Sequence, residues 1–319
     1  MKIAIAMVSV ALALAVTAVG AQTPGAWARR APLPAPRYEV GIAALGGKLY
    51  VIGGNQAAAS EGRAVPIVEE YDPATDTWRP RAPMPQALDH IGVAVLGDKI
   101  VSVGGFVSSV HSGASDKVFA YDPAKDSWRE LAPLSKGRGS VGVAALDGKI
   151  HAVGGRGVDN TFTVATHEIY DPATNRWSEA APLPRARDHL ALVALEGTIH
   201  AIGGRVTNPA SRVDEHDVYD AKSDTWTSAP PLPTPRSGLA FALYKGLIVV
   251  LGGELPPNTF AENEAFDPKA KAWRTLASMP QGRHATAAAV IGGSLYIAGG
   301  SLKPGRGEVT DQVLAFTLQ

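Results

Sequence analysis

Residues Val141 to Trp177 read VGVAALDGKIHAVGGRGVDNTFTVATHEIYDPATNRW, and this stretch decides the fold. It opens on small and apolar residues, Val141-Gly142-Val143-Ala144-Ala145. It turns at Asp147-Gly148 and runs through Ile150-His151-Ala152-Val153 to Gly154–Gly155. Asp-Gly between two β-prone runs is a hairpin signal, because the turn needs positive φ. After a loop, a third segment ends at Tyr170-Asp171-Pro172, where the Asp can hydrogen-bond turn amides and the Pro presets φ. Trp177 stands seven residues beyond the tyrosine. The unit therefore reads as four antiparallel strands, a to d in chain order.

The unit recurs along the chain. Its glycine pairs are Gly53–Gly54, Gly104–Gly105, Gly154–Gly155, Gly203–Gly204, Gly252–Gly253 and Gly299–Gly300, with second glycines 51, 50, 49, 49 and 47 residues apart. The aromatics Tyr71, Tyr121, Tyr170, Tyr219 and Phe266 each precede an Asp, and Trp78, Trp128, Trp177, Trp226 and Trp273 follow them at the same interval. A period of about 50 residues signals stacked modules or a propeller. One such unit leaves a sheet face unburied. Blades packed around an axis bury it and leave only short, protected edges.

These glycine pairs, aromatic-Asp-Pro turns and tryptophans resemble the Kelch repeat, at that family's spacing and over almost the whole chain after its first residues. The ends show how the ring closes. Trp27 precedes the first glycine pair with no strands a, b or c of its own, whereas the last unit has a strand c near Phe316 and no Trp. The segment around Trp27 is expected to supply strand d of the last blade, as in Kelch propellers, so that the six tryptophans serve six blades. The expectation is an all-β, six-bladed propeller over residues 22–319. The tryptophans are read as interblade packing, the glycines as close backbone approach, and the small residues of strand a as the crowded inner strand.

The first residues, Met1-Lys2 and an apolar run to about Ala18 before Val19-Gly20-Ala21, have the layout of a secretory signal peptide cleaved after Ala21. Residues 1–21 are thus expected to be removed and the protein to be periplasmic or secreted, with no membrane insertion afterwards. The chain has no Cys, so no disulfide or thiolate metal site is available, which suits a bacterial envelope protein. Its 30 basic and 30 acidic residues balance, and no basic run or basic-aromatic stripe favours nucleic acid.

Function is sought where the repeat varies. The b–c loops, such as Phe106 to Asp116 and Arg205 to Asp214, are long and variable, and they emerge on the same face as the d-to-a links. Loops on a rigid scaffold concentrate ligand contacts, so the binding surface is placed on that face, at the mouth of the central channel. In each d-to-a link an Arg recurs, namely Arg37, Arg138, Arg187, Arg236 and Arg283, with Leu88 standing in the second blade. Five guanidiniums near the axis would require anions. The protein could supply them, with Glu39, Asp89, Asp188 and Glu254 as candidates by position, or a ligand carboxylate or phosphate could be gripped bidentately. In Kelch domains that hold acidic peptides, this Arg, the residue after it and the residue after Gly-Gly line the recognition surface. By that resemblance the ligand-binding set is Arg37, Tyr38, Asn55, Asp89, Arg138, Arg156, Arg187, Asp188, Arg205, Arg236, Glu254, Arg283 and His284. The ligand would be an acidic peptide or protein, or a saccharide.

Enzymatic readings find less support. Asp89-His90 and Asp188-His189 look like acid-base pairs, but neighbours on a strand point to opposite faces. His90, His189 and His284 fall on alternate blades, with His284 one place out of phase, so no metal site is expected. His151 and His200 are read as packed, and His111, His167 and His216 as lacking partners. Copper oxidases resembling galactose oxidase need a Tyr–Cys crosslink, which a Cys-free chain cannot form, so no cofactor is expected. Exported sialic-acid mutarotases share this fold and need an acid-base carboxylate beside an Arg that holds the sugar carboxylate. Glu254 with Arg205 (or Arg236) is the candidate set for that alternative.

Overall fold

Every unit folds into the four strands its pattern requires. The computed structural model describes residues 24–56, 63–107, 111–157, 162–206, 211, 213–305 and 307–318; the expected signal segment lies outside them. In the third unit, Gly142–Leu146 pairs with Lys149–Val153, which pairs with His167–Asp171, which pairs with Arg176–Ala180, all antiparallel. Six such four-stranded sheets form the blades of the propeller. Their a strands (Gly41–Leu45, Gly92–Leu96, Gly142–Leu146, Ala191–Leu195, Ala240–Tyr244 and Ala288–Ile291) are neighbours in turn around the axis. The ring closes as expected: Ala26–Arg30 is the outer strand of the sixth blade, with Trp27 opposite Phe316 and Ala28 opposite Ala315. Among the described residues, no helix is long and apolar enough to cross a membrane.

The core lies between blades rather than within one. A single cluster joins Val101, Val103 and Val118 of the second blade to Val143, Ile150 and Tyr170 of the third. Burial of these apolar faces is the main favourable term, and no blade achieves it alone. The tryptophans add a polar staple to this packing. Trp177 donates its indole N–H to Ala132 O of the preceding blade at 2.8 Å, and the other five make the same bond at 2.8–2.9 Å.

A second staple repeats with it. Tyr170 Oη donates to Asn175 Oδ1 at 2.8 Å, and the same oxygen accepts the Ala132 N–H at 3.0 Å. Asp76, Asp126 and Asp224 do likewise in their blades. The fifth blade drops both halves at once, with Phe266 lacking a hydroxyl and Lys271 lacking an acceptor.

The glycine pairs bring blades together at the upper face. Gly154 has φ +65°, and a Cβ there would lie 2.5 Å from Arg187 O of the next blade. That same carbonyl accepts the Gly155 N–H at 2.9 Å. Any side chain at Gly154 would push the next d-to-a link away, so the repeat's most regular feature is an interblade contact.

Candidate functional site

The link arginines do not face the axis. Arg37, Arg138, Arg187, Arg236 and Arg283 are all buried, at most 2% exposed, and each turns into its own blade. Arg37 pairs with Glu69, Arg138 with Glu168, Arg187 with Asp217 at 2.9 Å and Arg236 with Glu264 at 2.5 Å. The expected counter-ions Glu39, Asp89, Asp188 and Glu254 are therefore not their partners. The acids come instead from strand c, two residues before each aromatic. Backbone carbonyls add to the coordination, as in Arg37 Nη1 to Gly53 O and Ile67 O. Burial pushes these guanidiniums below their ordinary pKa, and the strand-c carboxylates oppose that shift. The second blade replaces both members together, with Leu88 and Phe119 packed in one apolar cluster. The sixth keeps Arg283 but has Leu314 at the acid's place. Gln312 Oε1 accepts from Arg283 Nη2 at 3.0 Å, and burial with Arg29 nearby holds Arg283 down to about 10. These five arginines are scaffold, and the placement of ligand contacts on them is corrected.

What lines the channel mouth is the residue two places after each Arg or Leu88: Glu39, His90, Ser140, His189, Gly238 and Ala285. All six have left-handed backbone, with φ between 50° and 65°. Their peptides join around the axis. Ala285 O accepts from Glu39 N–H, Glu39 O from His90 N–H, His90 O from Ser140 N–H, Ser140 O from His189 N–H and His189 O from Gly238 N–H, at 2.7–3.1 Å. This belt surrounds a cavity of about 140 Å³. Farther along the channel the lining is apolar, including Ile42, Val93, Val143, Leu192, Phe241 and Val290.

The left-handed turn overturns one inference drawn from strand alternation. His90 is not extended, so its ring folds back and Nδ1 lies 2.5 Å from Asp89 Oδ1; His189 and Asp188 pair in the same way. A carboxylate only accepts, so each Nδ1 is the donor and each Nε2 is turned toward the mouth. His90 Nε2 lies 3.1 Å from Glu39 Oε1. Burial works against a charged His90, but Glu39 and Asp89 raise it to about 10; burial likewise works against the Glu39 carboxylate, which His90 pulls down to about 2. His189 Nε2 lies 3.1 Å from Ser140 Oγ.

The residues after the links and after the glycine pairs meet across short bridges. Tyr38 pairs with Asn55, Asp89 with Phe106, Gly139 with Arg156, Asp188 with Arg205, Ser237 with Glu254 and His284 with Ser301. Among the sequence-derived candidates, this brings Asn55, Asp89, Arg156, Asp188, Arg205, Glu254 and His284 into the mouth. Tyr38 is 3% exposed, while Asn55, Asp89 and Asp188 are fully buried and Arg156, Arg205, Glu254 and His284 are 3–7% exposed. Arg205 is the hub. Its Nε donates to Asp188 Oδ1 at 3.0 Å, Nη1 to Glu254 Oε1 at 3.2 Å, and Nη2 reaches His111 Nε2 at 3.0 Å and His189 Nε2 at 3.1 Å. Glu254 Oε2 also accepts the Gly305 N–H at 3.1 Å and lies 3.5 Å from His284 Nε2. Asn55 Nδ2 donates to Asp89 Oδ2 at 2.8 Å, and Arg156 Nε lies 3.8 Å from Asp188 Oδ2.

His111 was not anticipated. It enters from the b–c loop of the second blade, with its ring 4.7 Å from that of His90 and 5.1 Å from that of His189. The ligating nitrogens of these three histidines all lie within 4.8 Å of one another. His111, rather than His284, is thus the third histidine at a spacing that could hold a metal ion. Burial and neighbouring cations hold His111 and His189 well below the ordinary histidine pKa. His167 and His216 also have partners, since each accepts at Nε2 from a strand-b histidine, His151 or His200, at 2.9 and 2.8 Å.

A six-bladed ring stapled by tryptophans and glycine pairs, with a polar cluster at one mouth, defines a Kelch-type propeller. The chain belongs to the Kelch-repeat family: the KLHDC2/KLHL20/DRC7 Kelch-repeats domain model matches residues 25–204, and the Kelch motif model matches 235–280. It is 38% identical over 84 residues to Kelch-like protein 28 of Mus musculus, which covers 25% of this chain and 15% of that protein. It is 41% identical over 71 residues to Kelch-like protein terF of Aspergillus terreus, covering 22% of this chain and 16% of that one. The matches thus span less than a fifth of these relatives' length. The solved structure of YjhT superposes with a TM-score of 0.73 at 18% identity, over 89% of this chain and 96% of that one, which supports the fold.

Proposed function

We propose that this protein is an exported Kelch-repeat interaction module that binds an anionic or polar ligand, an acidic peptide or a saccharide, at the channel mouth. One observation carries the reading. Side chains of all six blades, from Glu39 and Asn55 of the first to His284 of the sixth, converge at one end of a channel whose remaining lining is apolar. Such convergence of charged groups on a rigid ring is what a polar ligand requires for orientation. Arg205 and Arg156 offer the guanidiniums, and Glu254 and His284 offer groups suited to hydroxyls and amides. Calorimetric titration with a glutamate-rich peptide and with acidic and neutral sugars tests it. Saturable binding that is lost in Arg205→Ala supports the reading. Failure of every peptide and sugar to bind at millimolar concentration overturns it.

The Glu254–Arg205 contact, at 3.2 Å, favours a second reading as a sugar mutarotase. A carboxylate and a guanidinium held together could transfer a proton at a ring oxygen while holding a sugar carboxylate. Anomer exchange of N-acetylneuraminate followed by NMR tests this, and a rate equal to that in buffer removes it.

A further inference from the structure

We propose that His90, His111 and His189 bind a divalent transition metal of the zinc class through their Nε2 atoms, with Asp89 and Asp188 as outer carboxylates. Three independent features point there. The first is spacing. His111 Nε2 and His189 Nε2 are 3.3 Å apart. Two nitrogens bound at about 2.0–2.1 Å with a tetrahedral angle between them stand about 3.3 Å apart. The third nitrogen, on His90, is within 4.8 Å of both.

The second feature is orientation. A metal-bound imidazole characteristically donates its other N–H to a carboxylate, which fixes tautomer and ring plane and strengthens the ligand. Asp89 Oδ1 and Asp188 Oδ1 hold the Nδ1 atoms of His90 and His189 in that way. Both are at 0% exposure, so these orienting contacts are shielded from water. The left-handed backbone at His90 and His189 makes each such sequence neighbour an outer partner. Two blades apart, the same two-residue device is repeated, and its two rings meet 5.2 Å apart.

The third feature is charge. The cluster's formal carboxylates are Glu39, Asp89, Asp188 and Glu254, against the guanidiniums of Arg156 and Arg205. Four against two leaves an excess of two negative charges once the metal takes the place of the His90 Nε2 proton, which favours a dication. Arg205 Nη2 already lies 3.0 and 3.1 Å from the Nε2 atoms of His111 and His189, whereas His90 Nε2 faces the Glu39 carboxylate. A metal displaces that contact, and the planar Arg205 guanidinium then turns as a unit, shifting its Nε and Nη1 bonds to Asp188 and Glu254. Three protein nitrogens would leave a fourth position for water or another ligand, and Ser140 Oγ lies 3.1 Å from His189 Nε2.

The test uses the full mature chain without a histidine tag, stripped with EDTA and then titrated with Zn²⁺ against a chromophoric chelator and with Co²⁺ by visible absorption. One equivalent of Zn²⁺ and tetrahedral Co²⁺ bands are expected. His111→Gln, on a loop, should weaken binding at least as much as loss of an outer partner, about 10–100-fold. Long-range ¹H–¹⁵N correlation of the wild type, which needs no variant to fold, should show Zn²⁺ shifting the Nε2 resonances of His90, His111 and His189 and leaving those of His151 and His200. Sub-stoichiometric binding, full affinity in His111→Gln, or shifts confined to other histidines would each overturn the proposal. Metal binding is measured without organic ligand, and ligand binding can be measured in EDTA, so this inference and the proposed function fail separately.

Discussion

Replacing Arg187 by Ala tests whether the link arginines are scaffold. Arg187 is fully buried and pairs with Asp217 at 2.9 Å; Asp217 is itself only 6% exposed. Truncating Arg187 leaves a buried carboxylate without its cation, and breaking a buried pair in this way costs about 3–5 kcal/mol. With an unfolding entropy of about 2.1 cal/mol/K per residue over roughly 300 residues, that corresponds to a fall in Tm of about 5–8 °C. The second blade supplies the rescue, because Leu88 and Phe119 occupy the corresponding places without charge. The double variant Arg187→Leu with Asp217→Phe should recover most of the lost stability, since a well-packed apolar pair can replace a buried ion pair at little cost. Thermal melts of wild type, single and double variants by circular dichroism decide the matter. A single variant that melts with the wild type would refute the scaffold assignment and return Arg187 to the pool of ligand contacts. A double variant no better than the single would refute the equivalence of the two blades.

Three further outcomes follow from the same geometry. Gln312→Glu would give Arg283 the charged partner its blade lacks; Glu215 and Glu262 stand at the same place in two other blades, and melting should rise by a few degrees as a neutral hydrogen bond becomes charge-assisted. Gly154→Ala, which puts a Cβ 2.5 Å from Arg187 O, should destabilise by about 3 kcal/mol in urea titration, whereas Gly148→Ala, with nothing within 4 Å, should cost only the left-handed penalty of about 1–2 kcal/mol. Burial lowers His151 to about 3 and His167, His200 and His216 to about 4. Their folded values lie below the unfolded value, so the unfolded chain takes up protons first as pH falls. Stability should be full above about pH 6.5 and decline towards pH 4, by up to about 1.4 kcal/mol per pH unit for each histidine, and urea midpoints across that range check it.

The scaffold was legible because each element of it repeats. Glycine pairs, aromatic-Asp-Pro turns and tryptophans recur where one blade touches the next, and an isolated Trp27 without its own strands announced the closure. A second recurrence marks where the arginines turn. Glu69, Glu168, Asp217 and Glu264 stand two residues before their aromatics, and Phe119 stands there in the blade where Leu88 replaces Arg. That joint change of both partners is the signature of a buried pair and could have been read from the chain. The belt at the mouth could not. Left-handed backbone is signalled by glycine, and only Gly238 of its six residues is one. His111 was illegible for another reason: no periodicity governs where a b–c loop folds back.

The belt also explains why the site can differ from blade to blade while the ring does not. Its cohesion comes from peptide groups, with one N–H and one C=O serving at most positions, so beyond the left-handed penalty the fold places little demand on side-chain chemistry there. Glu, His, Ser, His, Gly and Ala therefore occupy one backbone conformation. The strand-c acids have no such freedom, because each neutralises a buried guanidinium, and they change only together with it or at the expense of an uncompensated charge, as at Arg283. Positions held by backbone hydrogen bonds are thus where this propeller can exchange one non-glycine side chain for another at little cost in stability. The three histidines, two of them in the belt, stand where that freedom is greatest and where orienting carboxylates lie one residue away.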